Sequence, residues 1–323
     1  MLTGEVGNGR FAPSPTGELH VGNLRTALVA WMRARSTGGS FVLRFEDLDR
    51  VTSRTEHQRR QLDDLLAIGV EFDGEPLVQS TRFDAHHDAI DQLIAGGQTY
   101  ECFCSRREIA DAVRAPNGLT VASGYPGTCR ELTRREVSDR RTAGRPPAIR
   151  LRGDGTTTIS DLCLGTHELP IGDVVLRRND GVPSYNLAVV VDDAYQGVEE
   201  VVRADDLFSS SAPQARIAEL LHLAPVSYAH VPLVVSPSGV RLAKRDGAVT
   251  LSDLQAIGVH PMTVREILER SLGDAASGGP TALDITQLPR SPWVLTPDAF
   301  SHDRRGGSVG LPEDVATGSP PTR

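Results

Sequence analysis

The chain contains no apolar run near the roughly 18 residues that a membrane-spanning helix needs. Its opening, Met1 to Gly9, is short, polar and glycine-rich, unlike a secretory leader. Positive charge is in deficit: 34 lysines and arginines against 42 aspartates and glutamates leave a net charge of −8. An acidic protein is not a general nucleic-acid binder, so any RNA contact must use a local basic face. Cysteine is scarce, with four in 323 residues. In a chain without a leader, four cysteines read as metal ligands or buried thiols rather than disulfides. No internal repeat is present. These absences lead us to expect a cytoplasmic protein that stays off membranes.

What is present suits a folded enzyme-sized unit. Apolar residues make up 39% and charged residues 24%, enough for a core and ordinary for a globular chain. The length fits one catalytic domain with an insertion, or two small domains. The organising stretch is Arg10-Phe-Ala-Pro-Ser-Pro-Thr-Gly-Glu-Leu-His-Val-Gly-Asn-Leu-Arg-Thr-Ala-Leu28. Pro13, Pro15 and Gly17 rule out both helix and central strand, so this segment is a stiff loop. Leu24, Ala27, Leu28, Trp31 and Met32 then recur at the spacing of one buried helical stripe. A strand, a loop and a helix with glycine at the junction is how an α/β fold presents a helix N-terminus to phosphate. Gly22 lets a ligand approach the backbone, and His20 can hydrogen-bond a phosphate oxygen. An ordinary βα turn with a surface histidine would leave the same local trace.

Downstream, Ser40 to Glu46 reads as a strand ending in the carboxylates of Asp47-Leu-Asp-Arg50. Ser53 and Glu56 predict a capping box for a helix with Leu62, Leu65, Leu66 and Ile68 inward, stopped by Gly69. A further helix places Ala85, Ala89, Ile90, Leu93 and Ile94 inward and ends at Gly96-Gly97. The character changes at Thr99. Ser105 and Glu108 cap a short helix, and Pro116-Asn-Gly118 sits in a loop. Short strands are expected at 147–152, 158–163 and 173–178. Tyr185 to Asp192 is a near-continuous apolar run and predicts a buried strand; Glu200 to Asp206 predicts another. Ser211 is expected to cap a helix with Pro213 in its first turn. His230 to Val235 reads as a strand leading into a basic loop, Ser236 to Gly247. Two short helices follow near 252–257 and 262–272. After Leu272 periodicity is lost, and from Ser301 the Gly/Pro/Ser-rich sequence predicts disorder.

Three groups of residues carry chemistry. Arg241, Lys244 and Arg245 could neutralise charge developing on a triphosphate, although most such clusters are solvated loops. Arg10 and Arg203 are candidate bidentate carboxylate anchors. Glu46 can accept from an α-ammonium, while Ser14 and Tyr185 offer hydroxyls. Each alone would also fit a surface ion pair or a core tyrosine. Cys102, Cys104 and Cys129, with Tyr125, could surround a tetrahedral zinc or could be buried thiols. Cys163 fits no ligand spacing and reads as core. The arginines between 130 and 152 could face RNA or form a solvated face.

The Arg10–Leu28 stretch resembles the His-Ile-Gly-His box of class I aminoacyl-tRNA synthetases, and its flanks match the glutamyl branch. Asn23 stands where the second histidine of that box is expected. The basic loop resembles the family's Lys-Met-Ser-Lys-Ser loop, reading Arg241-Leu-Ala-Lys-Arg245, with Ala243 in place of the serine. Leu43-Arg-Phe-Glu-Asp47, Ser184-Tyr-Asn186 and Val202-Arg-Ala-Asp205 match the glutamate-binding motifs, with Ala204 where glycine is expected. Cys-x-Cys followed by Tyr-x-x-x-Cys looks like the zinc site of glutamyl-queuosine tRNA(Asp) synthetases. The resemblance covers roughly residues 10 to 256. The segment from Arg245 to Arg323 is too short for the helical anticodon-binding region of a full glutamyl-tRNA synthetase.

The resemblance implies an α/β fold: a Rossmann-type doubly wound parallel sheet split by a zinc-containing insertion, with a short helical C-terminal part and a disordered tail. The expected divisions are 1–97 and 171–256 for the two catalytic halves, 98–170 for the insertion, 257–300 for the helical part and 301–323 for the tail. It implies glutamate binding by Arg10, Phe11, Ala12, Pro13, Ser14, Glu46, Tyr185 and Arg203. ATP would meet His20, Gly22, Asn23, Arg241 and Lys244. One Zn2+ would sit on Cys102, Cys104, Tyr125 and Cys129, and Mg2+ would accompany ATP. The implied partners are ATP, L-glutamate and tRNA(Asp) bearing queuosine, with the chain acting as a monomer. The implied reaction forms glutamyl-adenylate and transfers glutamate to the cyclopentenediol of queuosine. The alternatives are a short glutamyl-tRNA synthetase charging a 3′ end, and a catalytically weak RNA-binding or regulatory paralogue motivated by Asn23 and Ala243.

Overall fold

The computed structural model of the chain describes residues 7–114, 125–242, 249–279, 281–296 and 299–300. Strand β1 (Gly9–Phe11), helix α1 (Val21–Ser36) and strand β2 (Phe41–Phe45) make the expected strand–loop–helix–strand unit. β1 and β2 are parallel, with Arg10 opposite Val42. Leu24, Ala27, Leu28 and Met32 are buried on α1, and Trp31 packs at the edge of the same core. Helix α2 (Thr55–Ala67) returns the chain to β3 (Leu77–Val78), parallel to β2, and α3 (Phe83–Ala95) follows.

The next segment is β4 (Thr99–Cys102), α4 (Arg106–Arg114), α5 (Arg134–Thr142), β5 (Ala148–Leu151), β6 (Thr156–Asp161), β7 (Gly165–Pro170) and β8 (Val175–Arg177). Then come α6 (Tyr185–Tyr195), β9 (Glu200–Ala204), α7 (Ser211–Leu220), β10 (Ser227–Val231) and β11 (Val234–Val235). Helices α8 (Leu251–Ala256) and α9 (Pro261–Arg270) and strand β12 (Trp293–Val294) complete the described elements.

β9, β10 and β6 are parallel, and β7 adds an antiparallel edge. This sheet abuts the first between β1 and β9, where Glu199 and Glu200 N–H groups both donate to Asn8 O at 2.9 and 3.1 Å. The strand order β3-β2-β1-β9-β10 thus runs across both, with helices on the faces. That is the doubly wound arrangement, and chain order reverses between β1 and β9. A separate antiparallel sheet, β4-β5-β8, carries the cysteines. Sheet membership cuts across a division at residue 170, because the β6–β7 hairpin joins β10 while β8 pairs with β5.

Several expectations need correction. Tyr185 to Asp192 is not a strand but the body of α6. The valine run favours strands locally, yet a short apolar run cannot separate strand from buried helix. Ser184 in extended conformation starts the helix, and Leu187, Ala188, Val189, Asp192 and Asp193 fall on its buried faces. Arg54, not Ser53, precedes α2, with no side-chain cap. Ser211 opens α7 without capping it; its hydroxyl accepts from Arg203 instead. Leu66 and Ile94 point outward. The expected strand at 230–235 is broken after Val231 by Pro232, which has no N–H to give a ladder.

The stretch after Leu272 packs despite its lost periodicity. Leu283, Ile285, Leu288 and Leu295 enter the main core, and β12 pairs with β11. Two arginines tie this C-terminal part to the sheet. Arg25, buried on α1, donates to Ser271 Oγ and Pro232 O at 2.9 and 3.1 Å. Burial without a carboxylate partner lowers its pKa to about 10. Arg265 caps the C-terminal end of α2 through Ile68 O and Gly69 O, both at 3.0 Å. The expected tail at 301–323, Pro116–Gly118, Lys244, Ala243 and Arg245 lie outside the described residues.

Candidate active site and metal centre

In open α/β sheets the ligand crevice lies outside the carboxyl ends of the strands where chain order reverses. A cleft of about 670 Å3 opens there, past the ends of β1 and β9. It gathers Arg10, Phe11, Ala12, Pro13, Ser14, His20, Asn23, Glu46, Tyr185, Arg203 and Arg241 around one space. Gly22 lies just behind: a Cβ there would stand 3.0 Å from the His20 ring, so a larger residue would push the imidazole out of its place across the helix start.

The start of α1 is built by His20 and Asn23 together. His20 Nδ1 accepts from Asn23 N–H, and Asn23 Oδ1 accepts from His20 N–H, both at 3.2 Å. This reciprocal cap satisfies two donors that a helix start leaves open. Asn23 therefore performs a local task that fixes the His20 ring. The two flanks of the 243–248 segment reach the same place: Leu242 lines the cleft, and Val249 O accepts from Val21 N–H at 2.9 Å. Arg241 pairs with Asp206 at the rim.

Under the other end of the cleft lies a buried charge cluster. Arg44, fully buried on β2, donates to Asp193 Oδ1 at 2.7 Å, Gln196 Oε1 at 2.9 Å and Glu46 Oε1 at 3.1 Å. Arg10 donates to Val202 O at 3.1 Å and stands 3.5 Å from Asp193 Oδ1 through Nε. Its Nη2 makes no hydrogen bond among the described residues, so Arg10 keeps a donor for a ligand. Burial raises the Glu46 carboxyl above its ordinary pKa, against the pull of Arg44 and Arg10.

Arg203 is committed more fully. Nε donates to His230 Nε2 at 2.9 Å; Nη1 donates to Gln214 Oε1 at 2.7 Å and Tyr185 Oη at 3.5 Å; Nη2 donates to Ser211 Oγ at 2.9 Å and Leu207 O at 3.3 Å. All five donors of a guanidinium are thereby used. The long bond to Tyr185 is the weakest, so that donor gains most from an incoming carboxylate. His230 in turn meets Asp161 Oδ2 through Nδ1 at 2.6 Å. Because Nε2 accepts from Arg203, the proton sits on Nδ1 and the ring is neutral. Burial lowers the His230 pKa, more than Asp161 raises it. Burial alone would raise Asp161, but hydrogen bonds from His230 and from Leu164 and Cys163 N–H hold it below its ordinary value.

Arg44, Asp193, Gln214, His230 and Asp161 were not anticipated as parts of the site. A charged residue inside the apolar strand 41–45 and paired aspartates closing the run to Asp193 were the available signals.

A second group forms beside the cleft. Cys102, Cys104 and Cys129 place their sulfurs within 4.8 Å of one another. Cys104 and Cys129 Sγ are 3.5 Å apart; Tyr125 Oη is 3.3 Å from Cys102 Sγ and 3.8 Å from Cys104 Sγ. Thiolate and oxygen ligands around a tetrahedral zinc stand about 3.5–3.8 Å apart, given bonds of about 2.0–2.3 Å. The Cys104–Cys129 and Cys104–Tyr125 distances match that spacing, and the three cysteines can hold a metal ion. Burial pushes the Cys104 thiol up to about 12, so a bound cation would be needed to keep it as thiolate. Arg150 stacks over the Tyr125 ring at 3.7 Å and donates to Asp173 O at 2.8 Å. Cys163 lies apart from the cluster and packs against the main core.

A second cleft of about 960 Å3 runs from this module to the first, sharing Ser14, Thr16, Glu46 and Tyr185 with it and reaching Cys104, Arg106 and Arg150. The arginine run near it is mostly exposed, and several of its members are held in ion pairs. Arg130 pairs with Asp173 and Asp154, Arg141 with Glu101, and Arg145 with Glu108.

Residues 8–279 match the family model described as tRNA synthetases class I (E and Q), catalytic domain, and the chain belongs to that family. It is 53% identical over 294 residues to the glutamyl-Q tRNA(Asp) synthetase of Nocardia farcinica, covering 90% of this chain and 93% of that one. It is 52% identical to the protein of the same name from Cutibacterium acnes, covering 95% and 88%. A glutamate–tRNA ligase of Oleidesulfovibrio alaskensis is 39% identical over 82% of this chain but only 57% of its own length. The fold matches the glutamate-tRNA synthetase of Elizabethkingia anophelis with a TM-score of 0.79 at 24% identity, covering 92% of this chain and 69% of that one. Within the class, the chain groups with the glutamyl-Q tRNA(Asp) synthetases, and it is a ligase of the aminoacyl-tRNA synthetase type. No helix among the described residues is long and apolar enough to cross a membrane.

Proposed function

We propose that the protein activates L-glutamate with ATP and transfers it to queuosine in the anticodon of tRNA(Asp), acting as a cytoplasmic monomer. The observation that carries this reading is one stiff loop, Arg10 to Asn23, with carboxylate chemistry at its start and a capped helix N-terminus at its end, both lining one cleft. A glutamate carboxylate oxygen attacks the α-phosphorus of ATP; the new P–O bond forms as the bond to pyrophosphate breaks. A hydroxyl of the acceptor then attacks the activated carbonyl carbon, and AMP leaves.

Arg10, Arg203 and Tyr185 hold one carboxylate, with Phe11, Ala12 and Pro13 as the wall. Glu46 and Ser14 hold the α-ammonium end. His20, Asn23, Arg241 and Lys244 face phosphates, with Gly22 giving backbone access. Mg2+ accompanies ATP and would offset phosphate charge. Catalysis comes from orientation and charge stabilisation, without a covalent enzyme intermediate. Zinc, held by Cys102, Cys104, Tyr125 and Cys129, would brace the module that walls the second cleft, which admits the acceptor nucleoside. Support for queuosine as acceptor comes from the names of relatives matched over nearly their full length.

Glutamate-dependent ATP–pyrophosphate exchange tests the first step. Exchange with glutamate and not with glutamine or aspartate is expected; a folded protein without exchange would favour the regulatory paralogue.

A further inference from the structure

Behind the glutamate side of the cleft, between α6 and α7, is a separate cavity of about 250 Å3. Its walls are mostly apolar, formed by Val190, Ala215, Ala218, Leu223 and Val226 among others. An apolar cavity of about 150 Å3 stays dry and accepts benzene, so this one has room for one or two fused rings. Four polar residues also line it: Gln214, which is bonded to Arg203 and Asn186, Glu219, which pairs with Arg216, Tyr228, and Asp193. Asp193 is 95% buried, and Oδ1 takes Arg44 at 2.7 Å. Oδ2 accepts no hydrogen bond from any described residue, which leaves a strong acceptor on a residue that lines the cavity.

Charge decides what that acceptor wants. Arg10 and Arg44 face Glu46 and Asp193 in one buried cluster, two cations against two anions. A cationic ligand would unbalance it, and an anion would be repelled by Asp193. A neutral hydrogen-bond donor satisfies Oδ2 without adding charge in a low-dielectric site.

We propose that this cavity binds a small neutral ring compound carrying one hydrogen-bond donor, of the indole or phenol class. The occupant is linked to the glutamate site, because Asp193 also stands beside Arg10 and the neighbouring Gln214 holds Arg203. That link rests on the glutamate assignment above, whereas binding in the cavity does not.

The test is titration of the full-length protein with indole, 1-methylindole, benzylamine and benzoate, followed by calorimetry and by crystallography of the soaked protein. Saturable indole binding in this cavity is expected, weaker by tenfold or more for 1-methylindole, which has lost the N–H, and undetectable for the two charged probes. Ala218→Phe, which fills the cavity, should abolish indole binding and leave glutamate-dependent exchange intact. If that variant misfolds, Ala224→Trp at the exposed mouth serves instead. Equal binding of indole and 1-methylindole, tighter binding of benzylamine, or no indole in the cavity would each overturn the proposal. Indole binding without any change in the glutamate KM would overturn the link alone, and a protein without exchange would remove the glutamate reading while leaving the binding result standing.

Discussion

Arg203 gives its Nε proton to His230 at 2.9 Å, and that single bond sets the tautomer of a buried histidine. Asp161, 2.6 Å beyond, holds the Nδ1 proton in place. Neither residue lines the cleft, yet both decide where the Arg203 fork points. Asp161→Asn should therefore raise the KM for glutamate about tenfold or more, as expected for losing ~1.5–3 kcal/mol of hydrogen bonding to a charged group. The KM for ATP should stay within about twofold. Exchange kinetics with each substrate varied in turn read this out; an unchanged glutamate KM would remove the positioning role.

The same relay predicts a pH dependence. Burial depresses the His230 pKa below its ordinary value of about 6.5. The unfolded chain therefore takes up a proton before the folded chain does. Stability supplied by the neutral ring is fully present above about pH 6.5 and declines as pH falls from there through the folded value. Protonated Nε2 would also face the Arg203 donor. Glutamate affinity should accordingly weaken only as pH falls through the depressed folded value, below the ordinary range, and His230→Gln should flatten that limb. A flat profile in the unaltered protein would contradict the relay.

Arg44 carries the buried cluster. Replacing it with leucine leaves Glu46 and Asp193, two buried carboxylates, with Arg10 as the one remaining cation of the cluster. Breaking a buried ion pair from one side typically costs about 3–5 kcal/mol. Urea unfolding of Arg44→Leu should show a loss of that order, and a loss below about 1 kcal/mol would mean that the cluster is not a structural unit.

How much of this was readable from residues alone follows from what each signal depends on. The β1–loop–α1 unit was legible because prolines, glycine and a helical stripe act within one short segment. The cysteine cluster was legible through spacing, and its donors do converge. Helix α6 was not, since Val189-Val190-Val191 is an unbroken apolar run with no period to separate helix from strand. Arg44, Asp193, His230 and Asp161 were not, because their partners come from elements far apart in sequence. The charge on Arg44 inside an apolar strand was visible, but nothing local named Asp193 as its partner. Lys244 was placed by resemblance and lies beyond the described residues.

The metal centre makes its own prediction. Purified protein should carry about one zinc per chain, and Cys129→Ser should lower that content and destabilise the module of β4, α4, α5 and β5 while leaving the main sheet folded. Elemental analysis with limited proteolysis checks both. A metal-free protein with full transfer activity would refute the zinc assignment.

The central claim concerns the acceptor. Transfer of labelled glutamate should be measured on tRNA(Asp) with and without queuosine, and on tRNA(Glu), with the attachment point located by nuclease mapping. Our account predicts label on the anticodon nucleoside of queuosine-bearing tRNA(Asp) and none on the other two. Label at the 3′ end of tRNA(Glu) would contradict it.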